Sequence, residues 1–445
     1  MKIIIEQSKL ADIIKASYLA VSQRPTHPII ANILITANID GTVEAIATNC
    51  NLTIQITTDA KVEIPGSIAL PAKLLNDTVA NISGDIEIES KNQNCTIIHR
   101  SGKCRLVGGN HEDFPAFPET ENPIEIRIPA KKLQVALEGC LYCASSDETK
   151  LVLTGVNFDI YHDKWQLAST NGHKLGLVTG TLDNEHPEAI NFTVPSKSLT
   201  ELNKIIATCE DNTICNILIS QSYVEFSFPN IKVSSRLLEG DYPKINQLIP
   251  RSFEYEFTLE AKGFESALKR VSHLAERKQK IVKLLWNIKE SQATLHTEAT
   301  DIGEAFDSIK IKSLPGSGKN DIALGLNIDY ALEGLKHIST DEILVRCNKP
   351  SHPVIICPVG GLLNQLYLVM PIQIKGEFSK RSDEAEETSD TVEVNNESTA
   401  ITTKESEVPE SEINHDSDAE TLETPTLVAK AKKSGSRTKK EKATA

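Results

Sequence analysis

A pattern of helices and strands occurs three times along residues 1 to 375, and this repeat constrains the fold more than any single motif. Each copy opens with a short strand and an amphipathic helix whose apolar residues recur at three- and four-residue intervals. The apolar positions are Leu10, Ile13, Ile14 and Tyr18 in copy one, Leu133, Ala136, Leu137 and Cys140 in copy two, and Phe264, Ala267, Leu268 and Val271 in copy three. We therefore expect three similar units in series.

Two further features recur in the same order. A pair of strands ends near a threonine, at Thr48, Thr170 and Thr300. A strand then runs into a second helix, in the segments IALPAKLLNDTVANI, FTVPSKSLTELNKII and IALGLNIDYALEGLKHI. Because helices and short strands alternate within each copy, the sequence predicts an α+β fold in which the helices cover one face of the sheets.

The composition changes after the third copy. Between Glu377 and Glu423 the chain has 16 acidic and 3 basic residues, whereas Lys430 to Lys442 has 7 basic and 1 acidic. Large apolar residues are too few there to form a core, so a disordered acidic tail with a basic end is predicted. The predicted divisions of the chain are domains at 1–122, 123–251 and 252–375 and a tail at 376–445.

The distribution of charge limits how the chain can meet nucleic acid. The net charge is −14, of which the tail carries −7, so residues 1 to 375 are only mildly acidic. Indiscriminate coating of nucleic acid is excluded, because phosphate binding depends on clustered lysine and arginine. If the sheets of the three units join, the helices lie on one side and form a wall that carries Lys73, Lys197, Lys204 and Lys336.

The joined sheets would leave one strand edge exposed in the first copy and one in the last. Natural proteins cover or pair such edges, and a second chain could pair both and close a ring.

No run of about 18 apolar residues is present, and the N-terminus lacks a secretory apolar segment, so a cytoplasmic protein is predicted. The nine cysteines occur at irregular spacing, which favours reduced thiols over a disulfide framework.

Three motifs that suggest chemistry are better explained by architecture. PGSGKND at Pro315 to Asp321 lacks the spacing of a phosphate loop, so we expect a hairpin turn there, as at Pro65. Cys140 and Cys143 have metal-like spacing, but they fall in a helix without a second pair of ligands, so we expect structural thiols. His173 has no accompanying nucleophile and carboxylate. We predict no catalytic residue, no metal site and no cofactor.

Five segments in order give the chain its family resemblance. They are MKIIIEQSKL with QRPTHPIIANI, then TNGHKLGL, VPSKSL, GDYPKINQLIP and the terminal VMPIQI. Together, on the threefold frame, they resemble the bacterial DNA polymerase III beta subunit, or sliding clamp, over residues 1 to 374. The resemblance implies three tandem clamp domains and a head-to-tail homodimer, a ring around duplex DNA with the helices lining the hole and the sheets outside.

The resemblance also implies a function without catalysis. Such a ring tethers the replicative DNA polymerase subunit to DNA and confers processivity. Further partners implied are clamp-loader subunits, other DNA polymerases and repair proteins. An alternative from another class is a clamp-fold scaffold that collects repair factors without serving the replicative polymerase.

The family's functional residues can be assigned to matching positions of this sequence. Arg24, Lys73, Lys197 and Lys204 match DNA contacts, and Leu106 of one chain is expected against His273 and Leu274 of the other. Partner proteins are expected to dock a short peptide in an apolar pocket between the second and third domains. The matching pocket residues are Leu153, Thr170, Gly172, His173, Lys174, Leu175, Pro243, Gln247, Leu248, Tyr330, Pro350, His352, Leu368, Met370, Pro371, Ile372 and Gln373.

The sequence departs from the family pattern at several of these positions. Asn171 stands where an acid is usual, Lys174 where arginine is usual, and Gln247 where a base is common. We therefore expect fewer bidentate contacts at the pocket rim. His273 replaces an aliphatic residue at the ring interface, which predicts a softer or pH-sensitive contact. The long tail after Ile374 begins beside the pocket and is expected to compete with partners.

Overall fold

The computed structural model describes residues 1–22, 24–119, 122–276, 280–299 and 302–374, with the side chains of 184 and 185 excepted. Thr300 and the predicted tail at 376–445 lie outside these residues. Each repeat contributes two α-helices, and the two helices of a pair pack against each other. The helices are α1 Gln7–Tyr18, α2 Ala72–Ala80, α3 Ala130–Cys140, α4 Ser196–Ile206, α5 Ala261–Ser272 and α6 Ile328–Lys336.

The apolar stripes of the sequence become the buried faces of these helices. Of the twelve stripe residues named for the three opening helices, eleven are buried, and Tyr18 is half-buried. In α1 the buried hydroxyl of Ser17 donates to the Ile13 carbonyl at 2.8 Å, which satisfies it inside the core. The predicted α+β fold with three tandem units is confirmed.

Two sheets contain the strands of the first repeat and part of the second. A five-stranded sheet has the order β5-β1-β7-β8-β9, and an eight-stranded sheet has the order β10-β13-β14-β15-β4-β3-β2-β6. The strands are β1 Lys2–Glu6, β2 Asn32–Ala37, β3 Thr42–Thr48, β4 Leu52–Asp59, β5 Lys61–Ile64, β6 Gly66–Pro71, β7 Asp85–Lys91, β8 Asn94–His99, β9 Gly102–Val107, β10 Ile124–Pro129, β13 Ile214–Ile219, β14 Tyr223–Ser227 and β15 Ile231–Arg236.

Two further sheets contain the rest of the second repeat and the third. A six-stranded sheet has the order β11-β12-β23-β22-β21-β16, and a four-stranded sheet has the order β19-β18-β17-β20. The strands are β11 Gly155–Thr170, β12 Lys174–Pro195, β16 Tyr255–Glu260, β17 Ile281–Asn287, β18 Gln292–Ala299, β19 Gly303–Lys310, β20 Ile322–Asn327, β21 Glu342–Cys347, β22 Val354–Pro358 and β23 Asn364–Val369.

The sheets continue across both repeat boundaries. Strand β4 of the first repeat pairs antiparallel with β15 of the second, from Leu52 opposite Ser235 to Ile56 opposite Ile231. Strand β12 of the second repeat pairs with β23 of the third in the same way. Backbone hydrogen bonds therefore join the three repeats in series, as the predicted edge-to-edge arrangement requires.

The same turn follows the recurring threonine in the first two repeats. Thr48 Oγ1 and Thr170 Oγ1 each accept a hydrogen bond from the backbone N–H two residues later, at 3.1 and 3.0 Å. Those later residues, Cys50 and Gly172, both have positive φ, at 70° and 90°. Positive φ is uncommon for residues other than glycine. Its occurrence at the same position of both repeats therefore supports the internal repeat.

Two expectations about connections were wrong. Pro65 does not form a hairpin, because β5 belongs to the five-stranded sheet and β6 to the eight-stranded one. The segment from Pro315 to Asp321 likewise joins β19 and β20, which lie at opposite edges of one sheet. Turn-forming residues signal that the chain changes direction, but they do not specify which strand it joins next.

The helix after the second repeat's opening strand is shorter than predicted. It ends at Cys140, and Leu141 to Cys143 form a separate 3₁₀ turn, so the two cysteines are not in one α-helix. Both thiols are fully buried.

Among the described residues no helix is long and apolar enough to cross a membrane.

Candidate partner-binding site

The six-stranded sheet is apolar on both faces where the second and third repeats meet. Along β23, Tyr367 and Val369 point into the core of the third repeat, whereas Leu366 and Leu368 point to the opposite face. This division follows from the two-residue period of a strand. A strand that is apolar on both sides needs a second covering layer, so the opposite face is a candidate docking surface.

A row of side chains crosses this opposite face from strand to strand. Leu175 of β12 pairs with Leu368 of β23, which pairs in turn with Ile355 of β22. All three are at most 3% exposed. We call the apolar group around this row the junction cluster, and its buried members are Ala168, Leu175, Leu177, Ile245, Ile355 and Leu368.

The connector between β15 and β16, residues 237–254, covers part of the junction cluster. Tyr242, Ile249 and Phe253 pack against it, and Ile245 is buried within it. The backbone N–H of Thr170 donates to the Tyr242 hydroxyl at 3.0 Å, which fixes the connector to the end of β11. Burial raises the pKa of Tyr242, so the phenol stays protonated at neutral pH.

The turn from β11 to β12 positions the predicted residues from Thr170 to Lys174. Thr170 Oγ1 donates to the Lys174 carbonyl at 2.7 Å, and the Asn171 side chain accepts the N–H groups of His173 and Lys174 at 2.9 and 3.0 Å. Asn171 is thus occupied in shaping its own turn, as asparagine often is. Gly172 and His173 are left exposed at the tip.

The rim of the cluster exposes apolar groups. Met370 follows β23, is 39% exposed, and its N–H donates to the His173 carbonyl at 2.9 Å. Leu248 is 50% exposed within the connector, and Pro243 and Gln247 near it are also exposed. Large apolar side chains beside a buried apolar row provide the anchor groups that peptide docking needs.

Lys174 lies inside the protein and not at the rim that the sequence predicted. Its side chain is 7% exposed, its Nζ donates to the Tyr142 carbonyl at 2.6 Å, and it forms an ion pair with Glu333. The ammonium also lies 5.6 and 5.5 Å from the ring centres of Tyr142 and Tyr330. The lysine therefore joins the second repeat to helix α6 of the third by charge, hydrogen bond and cation–π contact.

Tyr330 connects this interior group to the rim. Its ring centre lies 6.4 Å from that of His173, and its carbonyl accepts the Tyr367 hydroxyl at 2.8 Å. Next to it, the rings of Tyr142 and His337 are stacked at 4.1 Å. Burial lowers the pKa of His337, so the neutral imidazole is the favoured form there.

The remaining predicted pocket residues lie at the same end of the sheet or next to it. Pro350 and His352 are exposed in the turn before β22, whose first residue Val354 pairs with Val369. Ile372 donates its N–H to the Gly325 carbonyl at 2.8 Å, which fastens the end of the described chain to β20, with Pro371 half-buried and Gln373 exposed beside it. Leu153 is half-buried in the 3₁₀ segment before β11.

The predicted DNA-contact residues are all exposed. Arg24 lies in the loop after α1, and Lys73 lies in the first turn of α2. Lys197 is 90% exposed with Nζ 3.1 Å from Glu148, and Lys204 is paired with Glu201 at 2.9 Å. Exposed ion pairs of this kind are worth little, so these carboxylates leave the lysines available to a stronger anion.

The predicted ring-closing residues lie at or beside edge strands of two different sheets. Leu106 is half-buried in β9, the edge strand of the five-stranded sheet. His273 is exposed and Leu274 half-buried just after α5, a helix that packs against β19, the edge strand of the four-stranded sheet. The exposed residues Lys103 and Arg105 give the first edge a positive charge.

Several residues that build the site were not predicted from the sequence. Tyr142 and Glu333 reach Lys174 from distant positions, and no local pattern signals such a contact. Ile355 could have been found, because the segment VIICP is apolar at every position and a strand of that kind is covered on both faces. The described residues contain no group of three or more metal-ligating side chains.

Comparisons with known proteins identify the family. Its three domain models match in order, for the N-terminal domain of the DNA polymerase III beta subunit at residues 1–118, the central domain at 127–244 and the C-terminal domain at 246–373. The beta sliding clamp of Synechocystis is 34% identical over 394 residues, covering 84% of this chain and all of that protein. The beta sliding clamp of Bacillus subtilis is 31% identical over 368 residues, covering 80% and 95%.

Solved structures agree with the sequence relatives. The DNA polymerase sliding clamp of Bacillus subtilis superposes with a TM-score of 0.79 at 28% identity, over 84% of this chain and all of that one. The beta subunit from Thermotoga maritima, at 23% identity, has the same fold with a TM-score of 0.77 over the same shares. The chain therefore belongs to the DNA polymerase III beta subunit family, the bacterial beta sliding clamps.

Proposed function

We propose that two copies of this chain join head to tail into a ring around duplex DNA, and that the ring holds the replicative polymerase on its template. Each copy supplies three domains, at residues 1–122, 123–251 and 252–375. The observation that carries this proposal is the continuity of the sheets through β4 with β15 and β12 with β23. A chain that extends itself by strand pairing at every internal boundary is suited to continue the pairing with a second copy.

The edges left for that pairing differ in charge. Strand β9 presents the exposed Lys103 and Arg105, whereas β19 presents the exposed Glu304 and Lys310, and its Asp307 is paired with Arg270. Within the described strands, β9 pairs only with β8, and β19 only with β18. Leu106 of one copy then packs against His273 and Leu274 of the other, which supplies an apolar contact beside the charged pairs.

DNA occupies the hole, facing the lysines of the helices. Arg24, Lys73, Lys197 and Lys204 contact phosphates without reading sequence. A closed ring is retained by its topology, so a few such contacts suffice and the mild acidity of the folded part does not oppose binding. Weak contacts of this kind also permit sliding, because no single phosphate is held tightly.

Partner proteins dock a short peptide at the junction cluster. Aliphatic or aromatic peptide side chains pack against Met370 and Leu248 at the rim and reach the row of Leu175 and Leu368. His173, Gln247 and His352 bound the entrance and contact the peptide backbone. The replicative polymerase subunit, other DNA polymerases, repair proteins and clamp-loader subunits share this site, in the cytoplasm, so only one of them occupies a given site at a time.

A scaffold that collects repair factors without serving the replicative polymerase is not favoured. The relatives are named as beta sliding clamps, and the matching domain models describe a polymerase subunit. The family acts as a processivity factor and does not catalyse a reaction. Nucleotide chemistry for ring opening therefore belongs to the loader.

Binding of the cognate polymerase subunit to a Met370→Ala variant tests this function. We expect affinity to fall about tenfold or more, because an anchor side chain at a docking site carries a large share of the binding energy. Ile39→Ala, at a position that is 90% exposed in the first domain, is the matched control and should bind as the wild type does. Equal affinity of the Met370 variant and wild type would place the partner site elsewhere.

A further inference from the structure

The chain itself covers the open side of the opening strand in two of the three repeats. In the first repeat, β5 pairs antiparallel with β1, and Ile4 lies opposite Lys61. In the third, the N–H of Thr258 in β16 donates to the Ser313 carbonyl at 3.0 Å, and the Thr258 carbonyl accepts the Lys312 N–H at 2.9 Å. The backbone groups of both edges are therefore paired within the chain, which is a common way to protect a strand edge.

The opening strand of the second repeat, β10, lacks this cover. It ends the eight-stranded sheet, and among the described strands it pairs only with β13. Strands β10 and β16 align by position, because each runs directly into a helix and pairs with its neighbour up to its last residue. Arg127 is thus the counterpart of Thr258, since each lies two residues before the end of its strand. The N–H and the carbonyl of Arg127 therefore point to the open edge, because both groups of a residue in an antiparallel strand face the same side.

A cavity of about 670 Å³ lies along this open edge, a volume typical of a peptide or ligand site. Glu125 and Arg127 of β10, Leu182 and Asp183 of β12 and Ile214 of β13 line it. In the first repeat β5 comes between β4 and β6, and the corresponding part of the second repeat lies within β12, which does not pair with β10. The second repeat thus has a gap where the first has a strand. None of the described residues that line the gap is assigned to partner peptides, DNA or ring closure.

Carboxylates line the cavity on both walls, Glu125 on β10 and Asp183 on β12. Arg127 is the one lysine or arginine among the described lining residues, and its Nε lies 3.0 Å from a carboxylate oxygen of Glu125. That pair is exposed, so it gives way to a better-placed cation at little cost. Ile214, which is 44% exposed, and the half-buried Leu182 add apolar surface. The lining therefore suits a segment that combines basic and aliphatic side chains.

The first repeat shows how the charge of such a segment is set. Lys2 is the counterpart of Glu125, since each lies four residues before the end of its strand, and Lys2 forms an ion pair with Glu63 of β5 at 3.4 Å. Val62 and Ile64 flank Glu63 in the covering strand. Because the second repeat has a carboxylate in place of the Lys2 ammonium, the complementary charge on an added strand is positive.

We propose that the open edge of β10 binds an extended segment of a partner protein, which adds to the sheet as an antiparallel strand and carries a lysine or arginine beside Glu125 and Asp183. Aliphatic side chains of the segment cover Ile214 and Leu182, and its backbone bonds to the N–H and carbonyl of Arg127. The occupant is an extended segment because extended segments fill the same edge in the two other repeats. This site is separate from the proposed docking at the junction cluster.

Titration of the full chain with two fluorescent peptides tests the charge preference. Both have the sequence of residues 57–66, which includes the strand that covers β1, and one of them carries Glu63→Lys. The lysine peptide should bind about 3- to 10-fold more tightly, because a favourable cross-strand pair replaces a like-charge one. Glu125→Lys in the protein should reverse that preference. Glu290→Lys, at an exposed acid of the third domain, is the matched control and should leave the preference unchanged.

Arg127→Pro tests the strand pairing itself. The substitution removes an N–H that faces the open edge, so β10 keeps its bonds to β13, and proline is tolerated at such an edge. Binding should weaken about tenfold or more, whereas Arg127→Thr, which keeps the N–H, should retain it. A peptide with an N-methyl group at Lys61 provides the same test on an unaltered protein, because Lys61 lies opposite Ile4 in the first repeat. N-methylation at Val62, which faces the other side, should be tolerated.

Several results would overturn the proposal. They are absence of binding by either peptide, no reversal with Glu125→Lys, unchanged binding with Arg127→Pro, and loss of binding with Met370→Ala, which would assign the peptides to the junction cluster. Self-association of the full chain that Arg127→Pro weakens would also contradict it, because the edge would then join two copies. The polymerase assay with Met370→Ala involves none of the cavity residues, so failure of the proposed function and failure of this inference are distinguishable.

Discussion

At the scale of single residues, the largest difference between expectation and structure concerns Lys174. Its position in the turn was predictable from TNGHKLGL, but its contacts with Tyr142 and Glu333 were not, because they depend on how two repeats pack. Asn171 was expected to alter the rim and instead stabilises its own turn. Local sequence thus predicts which turn or strand contains a polar residue, whereas tertiary packing determines which groups its side chain contacts.

Replacing the buried lysine should destabilise the junction of the second and third domains. We expect Lys174→Met to lower the free energy of unfolding by about 1–3 kcal/mol, because the Tyr142 carbonyl and Glu333 lose a charged donor. The loss stays below that of a fully buried pair, since Glu333 is 37% exposed and can be hydrated. Denaturant titration should show the change, and Lys244→Met, at an exposed lysine, should match wild type.

The stacked histidine at the same junction should make stability depend on pH. Burial lowers the pKa of His337 below its ordinary value of about 6.5, so the unfolded chain takes up a proton more readily than the folded one. Stability should therefore decline as pH falls from about 7 toward 5. His337→Phe keeps a ring on Tyr142 and should reduce the slope, although His296, whose pKa is also lowered by burial, retains part of it. Identical slopes would contradict this explanation.

At the scale of elements, the helices were predictable and the connections were not. Each helix carries an apolar stripe with helical period, and the structure buries that stripe against its own sheet. The connections at Pro65 and Pro315 cross between strands that are not neighbours. Their residues favour turns of many kinds, and only the assembled sheets determine the route.

Two helical glycines should respond oppositely to alanine. In α6 a Cβ at Gly334 would overlap the ring of Tyr367, a fully buried residue, so Gly334→Ala should destabilise the third domain by about 1–3 kcal/mol. In α5 a Cβ at Gly263 would have its nearest neighbour at 3.4 Å, in the flexible side chain of Glu260. Gly263→Ala should therefore be neutral or stabilise by up to about 1 kcal/mol. Thermal unfolding of both variants provides the test, and the same sign of change in both would refute it.

At the scale of the whole molecule, the threefold pattern gave the domain number and order before any contact was known. The family resemblance supplied the candidate pocket, and the structure added the junction cluster, which underlies the predicted rim residues. The partner set, the DNA contacts and the contact that closes the ring depend on a second chain and on DNA, so neither the sequence pattern nor the packing of one chain specifies them.

Closure of the ring should depend on the edge strand of the first domain. Leu106→Asp places a carboxylate in the apolar part of the proposed contact, and we expect the dimer to dissociate at least tenfold more readily. Sedimentation of the full chain at micromolar concentration measures this. Ile39→Asp, at an exposed position away from both edges, should leave the dimer unchanged. An unaffected dimer in the Leu106 variant would assign the interface to another surface.

Retention on circular DNA shows most directly whether the protein forms a closed ring. The full chain is loaded by its cognate ATP-driven loader onto nicked circular DNA and washed in high salt, which screens phosphate contacts. A topological clamp should remain on the circle and leave within the time needed to slide off once the DNA is cut to a linear form. Loss from circular DNA in high salt, or equal retention on circular and linear DNA, would contradict the ring.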